Sequence, residues 1–93
     1  MEHVFSDKNV FTERVKKMMT QHKIKLTQDD VKDFVAEATR FDFDIDIAYN
    51  RFAVDAKSIL GVLALDFNKV LTVTCNGYSA EFERFLKRFS LAS

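Results

Sequence analysis

From Phe41 to Tyr49 the chain alternates without a break. Phe41, Phe43, Ile45, Ile47 and Tyr49 are separated by Asp42, Asp44, Asp46 and Ala48. A period of two belongs to a strand, and apolar residues against Asp mark one face buried and one face wet. Asn50-Arg51 then supplies a tight hairpin, since Asn tolerates positive φ. Phe52–Ala56 returns as a second strand.

The apolar period changes elsewhere, and each change marks an element. Residues 9–21 read as a helix with Phe11, Val15, Met18, Met19 and His22 along one side. Lys23–Leu26 alternates as a short strand. Thr27 is a good N-cap, with Asp30 completing a weak capping box. Val31, Phe34, Val35 and Ala38 follow at i, i+3, i+4 and i+7, the stripe of an amphipathic helix. Ser58 caps a short, almost wholly apolar helix over Ile59–Leu65. Val70–Cys75 is a strand with Leu71, Val73 and Cys75 on one face, and Asn76-Gly77 is a turn. Ser79 or a neighbour caps a last helix whose stripe is Phe82, Phe85, Leu86 and Phe89. From residue 23 the order is β-α-β-β-α-β-α. The simplest packing is an α+β open-faced sandwich, a four-stranded antiparallel sheet with three helices on one face. The expected organisation is an N-terminal amphipathic helical extension over 1–22 and a domain over 23–93.

Charge narrows the function classes. The chain carries 14 Lys/Arg and 14 Asp/Glu, so it has no overall bias toward nucleic acid or anionic membrane. The distribution is uneven: residues 1–25 hold six basic and three acidic side chains, and residues 26–93 hold eight and eleven. The single Cys75 excludes an intrachain disulfide and fits a reducing compartment. No apolar run of about 18 residues could span a bilayer, and the first residues lack a signal-peptide pattern. A cytoplasmic protein is expected.

One stretch carries a specific likeness. Val54-Asp55-Ala56-Lys57-Ser58-Ile59-Leu60-Gly61-Val62-Leu63-Ala64-Leu65 resembles the regulatory-serine helix of the HPr proteins, and Phe34-Val35-Ala36-Glu37-Ala38 resembles their first helix. The element order agrees from about Lys23 to Phe89. The resemblance implies a bacterial protein related to the phosphoenolpyruvate-dependent sugar phosphotransferase system, in which HPr proteins carry phosphoryl groups. The family takes the phosphate on a His at the start of the first helix, within Gly-Leu-His-x-Arg-Pro. Here the chain reads Lys25-Leu26-Thr27-Gln28-Asp29-Asp30-Val31. An ungapped alignment puts Thr27, Asp29 and Asp30 at the His, Arg and Pro positions. A gapped one, which the alternation of Lys23–Leu26 favours, deletes the loop.

The site residues follow from this. Ser58 is the regulatory phosphosite candidate, though a structural N-cap alone explains a Ser there and is the favoured reading. Ile59, Leu60 and Leu63 are partner-binding candidates, because a helix apolar on all sides cannot bury every side chain against one sheet. Thr27, Asp29 and Asp30 are degenerate active-site positions, where carboxylates take the helix-dipole role that a phosphate would need. His22 is expected at the end of the first helix. Asp42, Asp44 and Asp46 are spaced roughly 7 Å apart on a flat strand, a solvated face rather than a metal site. No catalytic residue, metal or cofactor is expected. The expected function is a non-catalytic regulatory or protein-binding HPr-like module. The alternatives are a phosphocarrier with an unexpected acceptor and an oligomerising structural module. The expected partners are proteins meeting the Ser58–Leu65 helix and a second copy through the N-terminal helix, with no nucleic acid or membrane.

Overall fold

The computed structural model describes residues 19–91. The expected N-terminal helix lies outside the described residues as far as Met18. Its last two positions are corrected: Thr20 and Gln21 begin a strand, β1 (Thr20–Ile24). The later elements are a 3-10 turn (Gln28–Asp30), α1 (Val31–Ala38), β2 (Ile45–Tyr49), β3 (Phe52–Asp55), α2 (Ile59–Leu63), β4 (Leu71–Cys75) and α3 (Ala80–Leu86).

The strands form one antiparallel sheet in the order β1-β4-β2-β3. β1 and β3 are the edges. Register decides the two faces. One cross-strand row runs His22, Val73, Ile47, Val54, and beside it stand Cys75 and Ile45. These residues face the helices, and Ile45, Ile47, Val73 and Cys75 are buried. The neighbouring row, Gln21, Thr74, Asp46, Asp55, faces outward. There Gln21 Nε2 donates to Thr74 Oγ1 at 3.3 Å and Lys23 Nζ to Thr72 Oγ1 at 3.1 Å. The alternation of Ile45–Tyr49 and Leu71–Cys75 is thus the division between core and open face.

The helices close the other side. Val31, Phe34, Val35 and Ala38 are all buried, as their spacing requires. Phe82 and Leu86 of α3 and Phe89 just beyond it are buried, while Phe85 is half-buried and packed on Phe34, Phe82 and Phe89 at centroid distances of 6.4, 5.9 and 5.3 Å. Asn50 has φ of 52° and turns the β2–β3 hairpin. Beyond α3, residues 89–91 return along the outer edge of β1. Lys25 N donates to Phe89 O, Leu91 N donates to Lys23 O, and Ser90 bridges Ile24.

The strand expected from Phe41 begins only at Ile45. Phe41–Asp44 is a bend, because no neighbouring strand extends beside it. β4 ends at Cys75, with Asn76 N donating to Asp44 O at 2.9 Å, and β3 ends at Asp55. Phe41 and Phe43 still pack on the core, stacked on each other at 5.6 Å. Asp42 and Asp44 therefore lie in the bend, and of the three Asp only Asp46 is on the strand face.

Candidate functional site

Two helix starts on the covered side carry the residues that the sequence singles out. The first follows β1 after only three residues, Lys25–Thr27, of which Leu26 is buried. Thr27 is extended, at φ −105° and ψ 166°, and its backbone N–H donates to Asp30 Oδ2 at 2.9 Å. Asp30 N donates back to Thr27 O at 3.0 Å. A carboxylate of the chain thus holds a backbone N–H at the helix start, where a bound anion would otherwise find donors. Asp29 is exposed beside it, and no Arg or His stands between Lys25 and Lys32.

His22 is not at a helix end. It lies in β1 with its imidazole toward α3, and Nε2 is 2.8 Å from Glu83 Oε1. The two groups are close enough to interact, but the ring nitrogen makes no aligned hydrogen bond. The reason for the correction is pairing: His22 stands opposite Val73, and the β4 ladder overrides the helical spacing of Val15, Met18 and His22. Cys75, on the same face of the sheet, is buried. Burial pushes its thiol above the ordinary range; the Thr20 hydroxyl opposes this and the Glu83 carboxylate adds to it.

The second helix start is α2. Ser58 is extended, at φ −103° and ψ 109°, and its Oγ accepts from Gly61 N at 3.2 Å. This is an N-cap. Ser58 is also exposed, so the hydroxyl is within reach of solvent. Lys57 beside it is tied down: its N–H donates to Asp55 Oδ1 at 2.9 Å and its Nζ to Phe41 O at 2.6 Å. Gly61 presses α2 onto β3, since a Cβ there would sit 3.2 Å from Val54 Cβ and 3.3 Å from Ser58 Oγ. Val62 and Leu65 enter the core. Ile59, Leu60 and Leu63 do not; they are 44%, 79% and 40% exposed and form an apolar face on α2. Ser58→Ala is expected to cost about 0.5–2 kcal/mol as a lost cap. Urea unfolding measures this, and an unchanged midpoint would show that the Gly61 bond contributes nothing.

Among the described residues, no three His, Cys, Asp or Glu are grouped to hold a metal ion. Asp42, Asp44 and Asp46 are all exposed. No helix among those residues is long and apolar enough to cross a membrane.

Residues 15–87 match the family described as PTS HPr component phosphorylation site. The chain belongs to the HPr family. A solved phosphocarrier protein HPr from Bacillus anthracis str. Ames is similar to it at 32% sequence identity and a TM-score of 0.61. The match takes in 77% of this chain and 98% of that HPr, so nearly the whole of an HPr corresponds to part of this sequence. No curated protein matches. The open-faced sheet with three helices is the HPr fold. HPr proteins act through contacts with other proteins, in keeping with protein partners for this chain.

Two contacts were not legible in the sequence. The His22–Glu83 pair joins β1 to α3 across most of the chain and leaves no local signal. The Arg40 cluster was half visible: Glu37 and Arg40 stand at i, i+3 and meet at 2.6 Å, but Glu81, at 3.0 Å, comes from α3. The carboxylates hold the Arg40 guanidinium above its usual range, with Glu81 the main cause.

Proposed function

We propose that this HPr-family chain is a non-catalytic regulatory or protein-binding module of a bacterial, cytoplasmic sugar phosphotransferase system. The observation that carries the reading is the start of α1. There Asp30 Oδ2 takes the Thr27 N–H at 2.9 Å, Asp29 stands alongside, and no His or Arg occupies the turn. A phosphoryl group at this point would meet two carboxylates instead of free donors and a guanidinium, and repulsion would oppose its transfer. In this reading Thr27, Asp29 and Asp30 are a disused phosphoryl site converted to helix capping. The α2 face made by Ile59, Leu60 and Leu63 is where a protein partner docks, and Ser58 at its edge is where a phosphate would regulate that docking by adding negative charge at a helix start.

The rival is a phosphocarrier with His22 as acceptor. The Glu83 carboxylate 2.8 Å from Nε2 opposes the approach of a second anion there. The two readings separate in one experiment. The chain is incubated with phosphoenolpyruvate and enzyme I, and its intact mass is read at alkaline pH, where phosphohistidine survives. No gain of a phosphoryl group is expected. A gain that disappears in His22→Ala would overturn the reading.

A further inference from the structure

The two edges of the sheet differ. β1 is covered along its outer side by residues 89–91, while the outer side of β3 has no such cover among the described residues. We propose that β3 pairs antiparallel with β3 of a second copy, centred on Ala53, so that the two sheets join into one. The proposal uses this open edge and not the α2 face, and it does not depend on the loss of phosphotransfer.

The free backbone groups follow from the hairpin. Ala56 N donates to Ile45 O at 2.9 Å, so Ile45 and Ala56 form a hydrogen-bonded pair. Such pairs alternate along an antiparallel ladder, and the register then makes Ile47–Val54 and Tyr49–Phe52 hydrogen-bonded too. Phe52, Val54 and Ala56 therefore turn their N–H and C=O toward β2. The groups on the outer side are the Arg51 C=O and the N–H and C=O of both Ala53 and Asp55. One of these is already engaged, since Asp55 O accepts from Ser58 N at 3.0 Å. Phe52, Ala53 and Asp55 are exposed, so the edge is within reach. An unpaired edge is a template for another strand.

The match of this edge to itself selects a second copy. With Ala53 opposite its own copy, each Ala53 N–H meets the other Ala53 C=O. Each Asp55 N–H meets the other Arg51 C=O. These bonds use every group still free and leave Asp55 O to Ser58. The side chains agree. Arg51 stands opposite Asp55 of the second copy, twice by symmetry, and opposite charges across a strand pair attract. Phe52, 43% exposed, stands opposite Val54. Centring on Val54 instead would aim each Ala53 N–H at the engaged Asp55 O and leave the Arg51 C=O unmatched. Centring on Asp55 would set the two carboxylates face to face. The helix side has room as well. Gly61 seats α2 over Val54, and the two Val54 residues lie two positions apart along the ladder and one strand across. That is about 8 Å, an ordinary distance between packed helices. Antiparallel pairing closes as a two-fold dimer.

Sedimentation of the full chain from about 10 μM to about 1 mM tests this, because so short an edge gives a weak dimer. The wild type is expected to dimerise within that range. Arg51→Asp is expected to weaken the dimer roughly tenfold or more, since two attractive pairs become repulsive. Asp55→Arg acts in the same way. An equimolar mixture of the two variants restores a one-to-one dimer, because every cation then faces a carboxylate. Asp55 also accepts from Lys57 N at 2.9 Å, so the fold of Asp55→Arg is checked by circular dichroism. If that variant does not fold, hydrogen exchange of the wild type decides in its place: the Ala53 and Asp55 amides are expected to gain protection as concentration rises. A wild type that is monomeric throughout overturns the proposal. So does a dimer that persists unweakened in Arg51→Asp, or exchange at Ala53 and Asp55 that is independent of concentration. None of these arms reads phosphoryl uptake, so this dimer and the non-catalytic reading fail independently.

Discussion

Phe34→Ala is expected to destabilise the domain by about 3–5 kcal/mol, the cost of emptying a fully buried aromatic site. Phe34 is 0% exposed and sits where α1 meets α3, with Phe85 stacked at 6.4 Å and Phe89 edge-on at 6.4 Å. The cavity has little means of collapsing, because α1 also anchors Val31, Val35 and Ala38 in the same core. Domains of this kind hold only about 5–15 kcal/mol in all, so a sizeable unfolded fraction before any denaturant is an accessible outcome. Urea unfolding followed by far-ultraviolet circular dichroism gives the value. Phe85→Ala is the control: its ring belongs to the same cluster and also packs on Phe89, but it is half-buried, so it should cost distinctly less. Equal losses at both positions would mean that the Phe cluster, rather than burial of Phe34, sets the energy.

Gly77→Ala should cost about 1–3 kcal/mol for the opposite reason, overfilling. A Cβ at residue 77 would stand 2.6 Å from Phe43 Cγ and 2.8 Å from Phe43 Cβ. The ring cannot swing clear easily. It stacks on Phe41, which in turn lies 5.2 Å from Phe82. Strain of this origin is shared between two residues, so Gly77→Ala combined with Phe43→Ala should cost less than the sum of the single changes. Additive losses in that cycle would show that the cost arises from the backbone of the turn and not from the ring.

The sequence was readable where a local pattern and a tertiary requirement agree. The stripe of α1, the Asn50 hairpin, and the Ser58 and Ser79 caps each follow from residues a few positions apart, and each is found with the expected contact. It misled where a local pattern lacked a partner or met a stronger one. Phe41–Asp44 alternates as well as Ile45–Tyr49, yet only the latter has ladders on both sides. Thr20–His22 continues a helical spacing, yet pairing with Val73–Cys75 makes it strand. At the candidate site, the exposure of Ile59, Leu60 and Leu63 follows from a helix too apolar to bury. The carboxylate at His22 could not be foreseen, because Glu83 belongs to the opposite end of the chain.

The placement of β1 also bears on how the chain is made. Its ladder partner is β4, with Lys23 and Thr72 separated by 49 residues, and its other edge is lined by residues 89–91. A ribosome releases β1 first and both of its neighbours late. The hairpin of β2 and β3 can form from nearby residues, while β1 must wait with its backbone groups unpaired until β4 has emerged. Closing so long a loop makes the docking of β1 a late and entropically costly step of folding. Among the described strands, the first to be synthesised is thus the one whose partners are made last.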